Sequence, residues 1–537
     1  MEQKMLGVML DCSRNAVMNV PSLKRFIDCL AKMGYNMLQL YTEDTYEIEG
    51  EPYFGYLRGR YTVAEMQELD AYAKERGIEM IPCIQTLAHL GCITRWGGIY
   101  GSVTDLGDIL LADEEKTYVL IEKMFATMRE AYTTKRIHIG MDEAHMVGLG
   151  KYLDRHGYQN RTEILLRHLA RVCEIAKKYD FQPMMWSDMF FRLASGGSYF
   201  GTGAKFSQEV IDAVPPELSL VYWDYYSTDV ARYESNITSH QQFKNEIIFA
   251  GGIWTWRGFA PRNSFSLNAC KAAVSACNNK GVNNVFFTMW GDDGGECSYF
   301  TVLAPLFYAA EISRGNTDLE SIKARFEELF DEKWDHVMDL ELANSANSRW
   351  DALNCGKYMF YSDPFMGLTD SAVHEEDPQF YADSAKILHA HAAEGTPLAA
   401  NYHMQACLCD VLASKCDLGV RTRRLYKAGD KEGLAALLPE YSAVYDMVET
   451  FYQAYKAVWM RDNKPFGFEI QEMRLGALLI RLRSCRERLE AYLKGEIATI
   501  EELDAEHLPF NGHAEGKRFE VQGHSSATIV TGKLSGW

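Results

Sequence analysis

Short apolar runs alternate with longer amphipathic stretches through roughly the first three hundred positions, the rhythm that parallel β/α units produce. Residues 5–11 read as a strand, 21–32 as a helix with proline in its first turn, and 36–41 as a second strand after the Gly34 stop. A helix over 61–76 and a strand over 78–84 follow, then a helix over 114–132 and a strand over 136–140. Helix 161–179 leads to strand 183–186, and strands 218–223, 247–250 and 284–289 follow, with helical stretches such as 268–280 between them. Eight strands suffice to close a barrel. An open doubly wound sheet uses the same local pattern. Here, though, polar and aromatic residues gather after nearly every strand, and no glycine-rich phosphate loop follows the first one. The expected fold class is α/β, a (β/α)8 TIM barrel over 1–317. Strand signals then vanish. Helical patterns over 379–393, 397–426, 441–460 and 470–493 predict an α-helical C-terminal domain of up-and-down hairpins over 318–537, with a short strand pair in 519–537.

The 537 residues are 47% hydrophobic, enough to build a full core. A formal charge of −19, from 55 basic and 74 acidic residues, comes with no basic block, which excludes nucleic acid and favours a neutral or cationic ligand. The run Arg421-Thr422-Arg423-Arg424 is isolated and reads as a solvated helix end. Met1-Glu2-Gln3-Lys4 leads a short apolar run without the features of a secretory leader, and no stretch is long enough to span a bilayer. Thirteen cysteines, an odd number without C-x-x-C pairs, fit scattered reduced thiols. The expectation is a cytoplasmic protein with no membrane partner. Oligomeric state is not legible in the chain.

The candidate chemistry centres on Lys135-Arg136-Ile137-His138-Ile139-Gly140-Met141-Asp142-Glu143, where a strand runs into two adjacent carboxylates. Other strand ends bring Asp11 and Arg14, Glu43 and Asp44, His89, Trp186 and Asp188, Asp224 and Tyr225, Trp254 and Trp256, and Trp290 and Asp292. In a barrel these converge on one mouth. Carboxylates, one Arg, one His and several Trp and Tyr side chains suit an uncharged polyhydroxylated ring, because aromatic faces stack on C–H bonds and ionised groups bind hydroxyls. Glycosidic hydrolysis needs a proton for the leaving group and negative charge, or a nucleophile, beside the anomeric carbon. Glu143, with the longer arm, suits the acid, and Asp142 would stay ionised. His389-x-His391 with His403 suggests a metal only weakly, since i, i+2 histidines do not share a helix face. Residues 462–469 could reach the barrel mouth or a subunit interface, but read first as a plain helix-hairpin turn.

Five motifs taken together resemble glycoside hydrolase family 20, the β-N-acetylhexosaminidases. They are Asp11-Cys12-Ser13-Arg14, Thr86-Leu87-Ala88-His89, His138-Ile139-Gly140-Met141-Asp142-Glu143, Trp186-Ser187-Asp188 and Trp290-Gly291-Asp292. The H-x-G-x-D-E match is the specific one. The set resembles compact, bacterial-type members that lack the preceding small α/β domain. The resemblance implies exo-acting, substrate-assisted retaining hydrolysis of terminal β-linked GlcNAc or GalNAc through an oxazolinium intermediate, without metal or organic cofactor. It implies Glu143 as acid and base, Asp142 holding the acetamido N–H, and Tyr225 donating to the acetamido oxygen. Arg14, Asp292 and Asp44 would hold ring hydroxyls, with Trp186, Trp290 and Trp254 or Trp256 walling the pocket and His89 setting the protonation of the carboxylates. Three positions depart from the family pattern: Leu87 and Ala88 make T-L-A-H of the usual T-P-G-H, and Asp292 stands where Glu is usual. Tyr222-Trp223-Asp224 fits the family's tyrosine motif by spelling, whereas counting from the strand start selects Tyr225. The rivals are a glycosidase with a protein nucleophile such as Asp188, and a retired sugar-binding barrel.

Overall fold

Eight parallel strands close into a barrel in sequence order: β1 (Met5–Asp11), β2 (Met37–Tyr41), β3 (Glu79–Cys83), β4 (Arg136–His138), β5 (Gln182–Trp186), β6 (Ser219–Trp223), β7 (Ile247–Gly252) and β8 (Asn284–Met289). The computed structural model describes residues 4–195, 197–201, 203–344 and 355–508. Strand β1 shuts the ring against β8, from Met5 beside Asn284 to Leu10 beside Met289. All seven residues of β1 are buried, which is why it reads as a continuous apolar run rather than an alternating one.

Local chemistry sets the helices between the strands. Helix Val20–Met33 is capped by Asn19, whose side chain accepts from the Ser22 N–H, and stops at Gly34 with φ +80°. Helix Val63–Lys74 opens with a reciprocal capping box between Thr62 and Glu65. One expected strand is cut short: β4 ends at His138 rather than at 140, because Gly140 and Met141 have φ of +70° and +73°, which no strand accommodates. A small hairpin, Thr104–Leu106 with Ile109–Leu110, interrupts the β3–β4 connection; the sequence reading did not anticipate it.

Beyond residue 317 the described residues are helical, and two boundaries differ from the expected ones. The single helix read over 397–426 is two, Ala399–Lys415 and Leu418–Lys427, joined at Cys416 and Asp417. Gly419, just past the joint, packs so tightly that a Cβ there would lie 2.9 Å from the Pro364 carbonyl oxygen. The helix read from 441 starts ten residues earlier, as Lys431–Asp462, because Asp430 caps it and buried Leu434 and Leu437 anchor the turns before Pro439. The strand pair expected in 519–537 lies outside the described residues.

The turn after Lys431–Asp462 is more than a hairpin. Asn463 bridges to Met18, the Lys464 N–H donates to the Val17 carbonyl at 2.8 Å, and Lys464 Nζ reaches Glu65 at 2.9 Å. It is thereby clamped onto the loop that follows β1, where Arg14 sits. Among the described residues no helix is long and apolar enough to cross a membrane.

Candidate active site

The loop after β4 is a chain of left-handed residues held by polar contacts from neighbouring strand ends. Gly140 is required there: besides its φ of +70°, a Cβ would lie 2.1 Å from Gln85 Oε1 and 2.7 Å from the Ile84 carbonyl oxygen. Its N–H donates to His138 Nδ1 at 3.1 Å. Burial pushes His138 down to about 3, so the ring stays neutral and able to accept. Gln85, at the end of β3, accepts from the Met141 N–H at 3.1 Å and donates to Asp142 Oδ1 at 2.7 Å. Glu143, with φ +51°, donates its N–H to Asp188 Oδ2 at 3.1 Å. The H-x-G-x-D-E spacing is therefore a backbone device that aims two consecutive carboxyl groups differently.

Their surroundings differ accordingly. Asp142 is 7% exposed, and its Oδ2 lies 3.2 Å from His89 Nε2. Burial opposes both charges, but the two groups outweigh it for each other: Asp142 is held ionised and His89 protonated. The Glu143 side chain is 39% exposed, with His89 Nε2 at 3.7 Å from one oxygen and Arg192 Nη2 at 3.2 Å from the other.

On the β1 side, Arg14 lies 3.2 Å from Glu43 and 3.4 Å from Asp11, with its guanidinium over the rings of Tyr41 and Trp290. Asp11 accepts from Gly291 N–H at 2.9 Å and so ties this loop to the one after β8. Burial raises Glu43 to about 7 against the pull of Arg14 and His89. Burial also raises Asp292, against Arg14 and Arg257.

A pocket at this mouth is lined by Arg14, His89, Asp142, Glu143, Trp186, Trp223, Tyr225, Tyr226, Trp256, Trp290 and Asp292. Nine of these were expected. Trp254 is not among them: its indole N–H donates to the Tyr225 carbonyl at 2.9 Å and its ring stacks behind Trp256 with centroids 4.2 Å apart. Asp44 is also absent, because it is 1% exposed and held by Arg58 at 3.3 Å. Of the two tyrosines weighed, Tyr225 lines the pocket, whereas Tyr222 donates to Asp224 at 3.2 Å and packs against the tilted ring of His240. Four contributors escaped the sequence reading: Trp223, Tyr226, Gln85 and Arg192. The first three stand within three residues of a strand end, the signal used for the others. Arg192 carries no such mark except its i, i+4 spacing from Asp188 on helix Asp188–Ala194. The indole nitrogens of Trp186 and Trp223 are buried without a protein partner among the described residues.

The three histidines His389, His391 and His403 do not converge on one site: His389 and His403 lie with ring centroids 6.0 Å apart, and His391 pairs with His336. His389 meets Asp410 at 2.8 Å, and His403 lies beside Cys407. His391 meets Asp339 at 2.9 Å and stacks on His336. His336, His391 and Glu394 bring ligand atoms within 4.8 Å of one another, a grouping able to hold a metal ion, although Lys333 already lies 3.2 Å from Glu394.

Two family models match the chain: the catalytic domain of glycosyl hydrolase family 20 over residues 5–198, and the Glycoside Hydrolase 20C C-terminal domain over 333–522. Human hexosaminidase D is 24% identical over 221 residues, covering 40% of this chain and 43% of the relative. Bovine hexosaminidase D is 22% identical over 244 residues, 44% of this chain and 66% of the relative. The chain thus matches less than two thirds of each. Among solved structures, a family 20 exo-β-N-acetylglucosaminidase from Vibrio harveyi aligns with TM-score 0.46 at 16% identity, over 63% of this chain and 58% of that one. A β-N-acetylhexosaminidase from Bacteroides fragilis aligns with TM-score 0.46 at 16% identity, over 61% and 71%. With an eight-stranded barrel, a helical C-terminal region and matching models for both, this chain belongs to glycoside hydrolase family 20.

Proposed function

We propose that the protein is an exo-β-N-acetylhexosaminidase that removes terminal β-linked GlcNAc or GalNAc by substrate-assisted retaining hydrolysis. The observation that carries this reading is the unequal seating of two consecutive carboxyl groups. Asp142 is buried, ionised and fixed by His89 and Gln85. Glu143 stands half exposed at the rim. A group fixed and charged at the pocket floor suits orienting a ligand amide. A group at the rim suits meeting a leaving oxygen.

In the proposed cycle Asp142 accepts the acetamido N–H and favours the amide oxygen as nucleophile. That oxygen attacks the anomeric carbon, the glycosidic C–O bond breaks, and the leaving oxygen takes its proton from Glu143. Water then attacks the anomeric carbon of the oxazolinium, Glu143 takes its proton, and the ring-opened amide is restored with the original configuration. Tyr225 is assigned the hydrogen bond to the acetamido oxygen, and Arg14 and Asp292 the ring hydroxyls. The names of the relatives, hexosaminidase D in particular, agree with this substrate class. The chemistry uses side chains and the substrate's own acetamido group, so it calls for no cofactor. A protein nucleophile is the poorer reading, since the Asp188 side chain has no exposure and already accepts from Arg192 and the Glu143 N–H. All thirteen cysteines are free thiols, which supports a reducing, cytoplasmic setting.

Glu143→Gln is expected to lower kcat on an aryl N-acetyl-β-glucosaminide by about 10²–10⁴-fold with an unchanged far-ultraviolet dichroism spectrum. A thiazoline mimic of the bicyclic intermediate is expected to be a tight competitive inhibitor of the wild type. Wild-type turnover of the glycoside together with indifference to the thiazoline would overturn the substrate-assisted route.

A further inference from the structure

We propose that His336, His391 and Glu394 form a site for a divalent cation of the zinc class, which clamps the start of the helical region to the end of its helix Asp377–Ala393. No step of the glycosidase chemistry passes through it.

The site is built from two helix turns with the same spacing. His336 and Asp339 stand three positions apart on helix Trp334–Asp339. His391 and Glu394 stand three apart at the close of helix Asp377–Ala393, where Glu394 keeps helical backbone angles of φ −71° and ψ −17°. Residues at i and i+3 share a helix face, so each helix offers one imidazole and one carboxylate to the other. The contacts run crosswise. His336 Nδ1 lies 3.7 Å from Glu394 Oε2, His391 Nε2 lies 2.9 Å from Asp339 Oδ2, and the two rings stack with centroids 3.6 Å apart. Ligand atoms of His336, His391 and Glu394 all fall within 4.8 Å of one another. A tetrahedral ion with bonds of about 2.1 Å sets its donors about 3.4 Å apart, so small side-chain adjustments separate this arrangement from a coordinating one.

The donor set selects the cation. Two imidazole nitrogens and one carboxylate oxygen suit zinc, whereas calcium and magnesium take oxygen throughout. The imidazoles are enclosed, with the His336 and His391 side chains 16% and 12% exposed. Loss of solvation, with the His391 ring beside it, holds His336 below the ordinary histidine range, and a neutral ring keeps the lone pair that a metal needs. Asp339 stands to His391 as an outer carboxylate stands to a metal-binding imidazole, fixing the ring's orientation. The last turn of a long helix leaves carbonyl oxygens that favour positive charge beside His391 and Glu394. Lys333 supplies that charge, with Nζ 3.2 Å from Glu394 Oε2 on an exposed side chain. Such a lysine swings into solvent at little cost, and the divalent ion takes its place. Helix Trp334–Asp339 is itself pinned to the barrel's outer layer, since Asn263 donates to the Val337 carbonyl at 2.9 Å. Closing the site therefore couples that layer to the helical region.

The test is calorimetric titration of the full, reduced, EDTA-stripped chain with zinc chloride. Wild type is expected to bind one zinc per chain in the presence of a hundredfold excess of magnesium chloride, and to gain about 2 °C in denaturation midpoint at saturation. Cobalt chloride should give weak d–d bands without the intense thiolate charge-transfer band of a cysteine site. His336→Gln, His391→Gln and Glu394→Gln should each weaken zinc binding at least tenfold. Lys333→Met, which removes the competing ammonium, should tighten it about threefold. His389→Gln and His403→Gln should leave it unchanged. Lys333 and Glu394 are exposed, so their variants read the site without disturbing the fold. No zinc uptake by folded wild type, a thiolate band with cobalt, or equal affinity in Glu394→Gln and wild type would overturn the site.

Discussion

The two carboxyl-bearing loops of the mouth are held in opposite ways. The loop after β4, with Asp142 and Glu143, is fixed from within the barrel by His138, Gln85, His89, Asp188 and Arg192. The loop after β8, with Asp292, is tied to the β1 loop by Asp11 and is otherwise held from outside the barrel. Arg474 donates to the Asp293 carbonyl at 2.6 Å and lies 3.0 Å from Glu296, Gln471 donates to the Gly294 carbonyl at 2.9 Å, and Lys357 reaches Asp293 at 2.8 Å. Lys357, Gln471 and Arg474 all belong to the helical region. The carboxyl groups proposed to act on the glycosidic bond therefore depend on the barrel alone, whereas the one proposed for ring hydroxyls also depends on helices 64 to 181 positions further along. Chemistry and sugar-holding should fail separately.

The sharpest way to break that contrast is Gly140→Ala. A methyl group 2.1 Å from Gln85 Oε1, on a residue at φ +70°, should cost about 3 kcal/mol in urea denaturation and lower kcat by more than a hundredfold. Full activity in that variant would mean that the loop is not the rigid device described.

Acid should weaken the barrel that carries this loop. His138 and His168 are buried and lowered to about 3 and about 4, and His240 to about 3, mainly by loss of solvation. Because the folded values lie below the unfolded value near 6.5, the stability they confer is complete above pH 6.5 and lost as pH falls toward 3. Denaturation midpoints at pH 7, 5.5 and 4.5 should decline by an amount equivalent to a few kcal/mol. A flat profile would show that these rings take up protons in the folded state.

On the opposite loop, Arg474→Ala should raise KM about tenfold while kcat stays within threefold, the equivalent of one charge-assisted hydrogen bond. A fall in kcat at constant KM would erase the division between the two loops. The smallest effect is expected for Trp254→Phe. Its ring lies behind Trp256, so it should cost about 1 kcal/mol of stability and change kcat/KM by less than threefold.

Most strands and the placing of two adjacent carboxylates, Asp142 and Glu143, just beyond a strand end were legible because their signals are local. Apolar runs mark β1 to β8, and each strand end exposes polar or aromatic residues at predictable positions. Legibility failed where a contact joins distant segments. Arg192 reaches Glu143 across 49 positions. The stretch 462–469 reads first as a plain helix-hairpin turn, with a reach to the barrel mouth or a subunit interface as the alternative, and its bonds to Val17 and Glu65 span far more of the chain than a hairpin does. Legibility failed also at short range: Trp254 and Asp44 look like pocket residues by spacing, yet side-chain packing sets Trp254 behind Trp256, two positions on, and buries Asp44 against Arg58.

What the chain determines by itself is the barrel rhythm, the Gly140 turn and the adjacency of Asp142 and Glu143. Each follows from backbone sterics and local hydrophobic periodicity. Only the tertiary structure decides that one of these carboxyl groups is buried beside His89 while the other meets Arg192 at the rim. Charge state and exposure depend on which strand ends converge, and barrel closure sets that convergence.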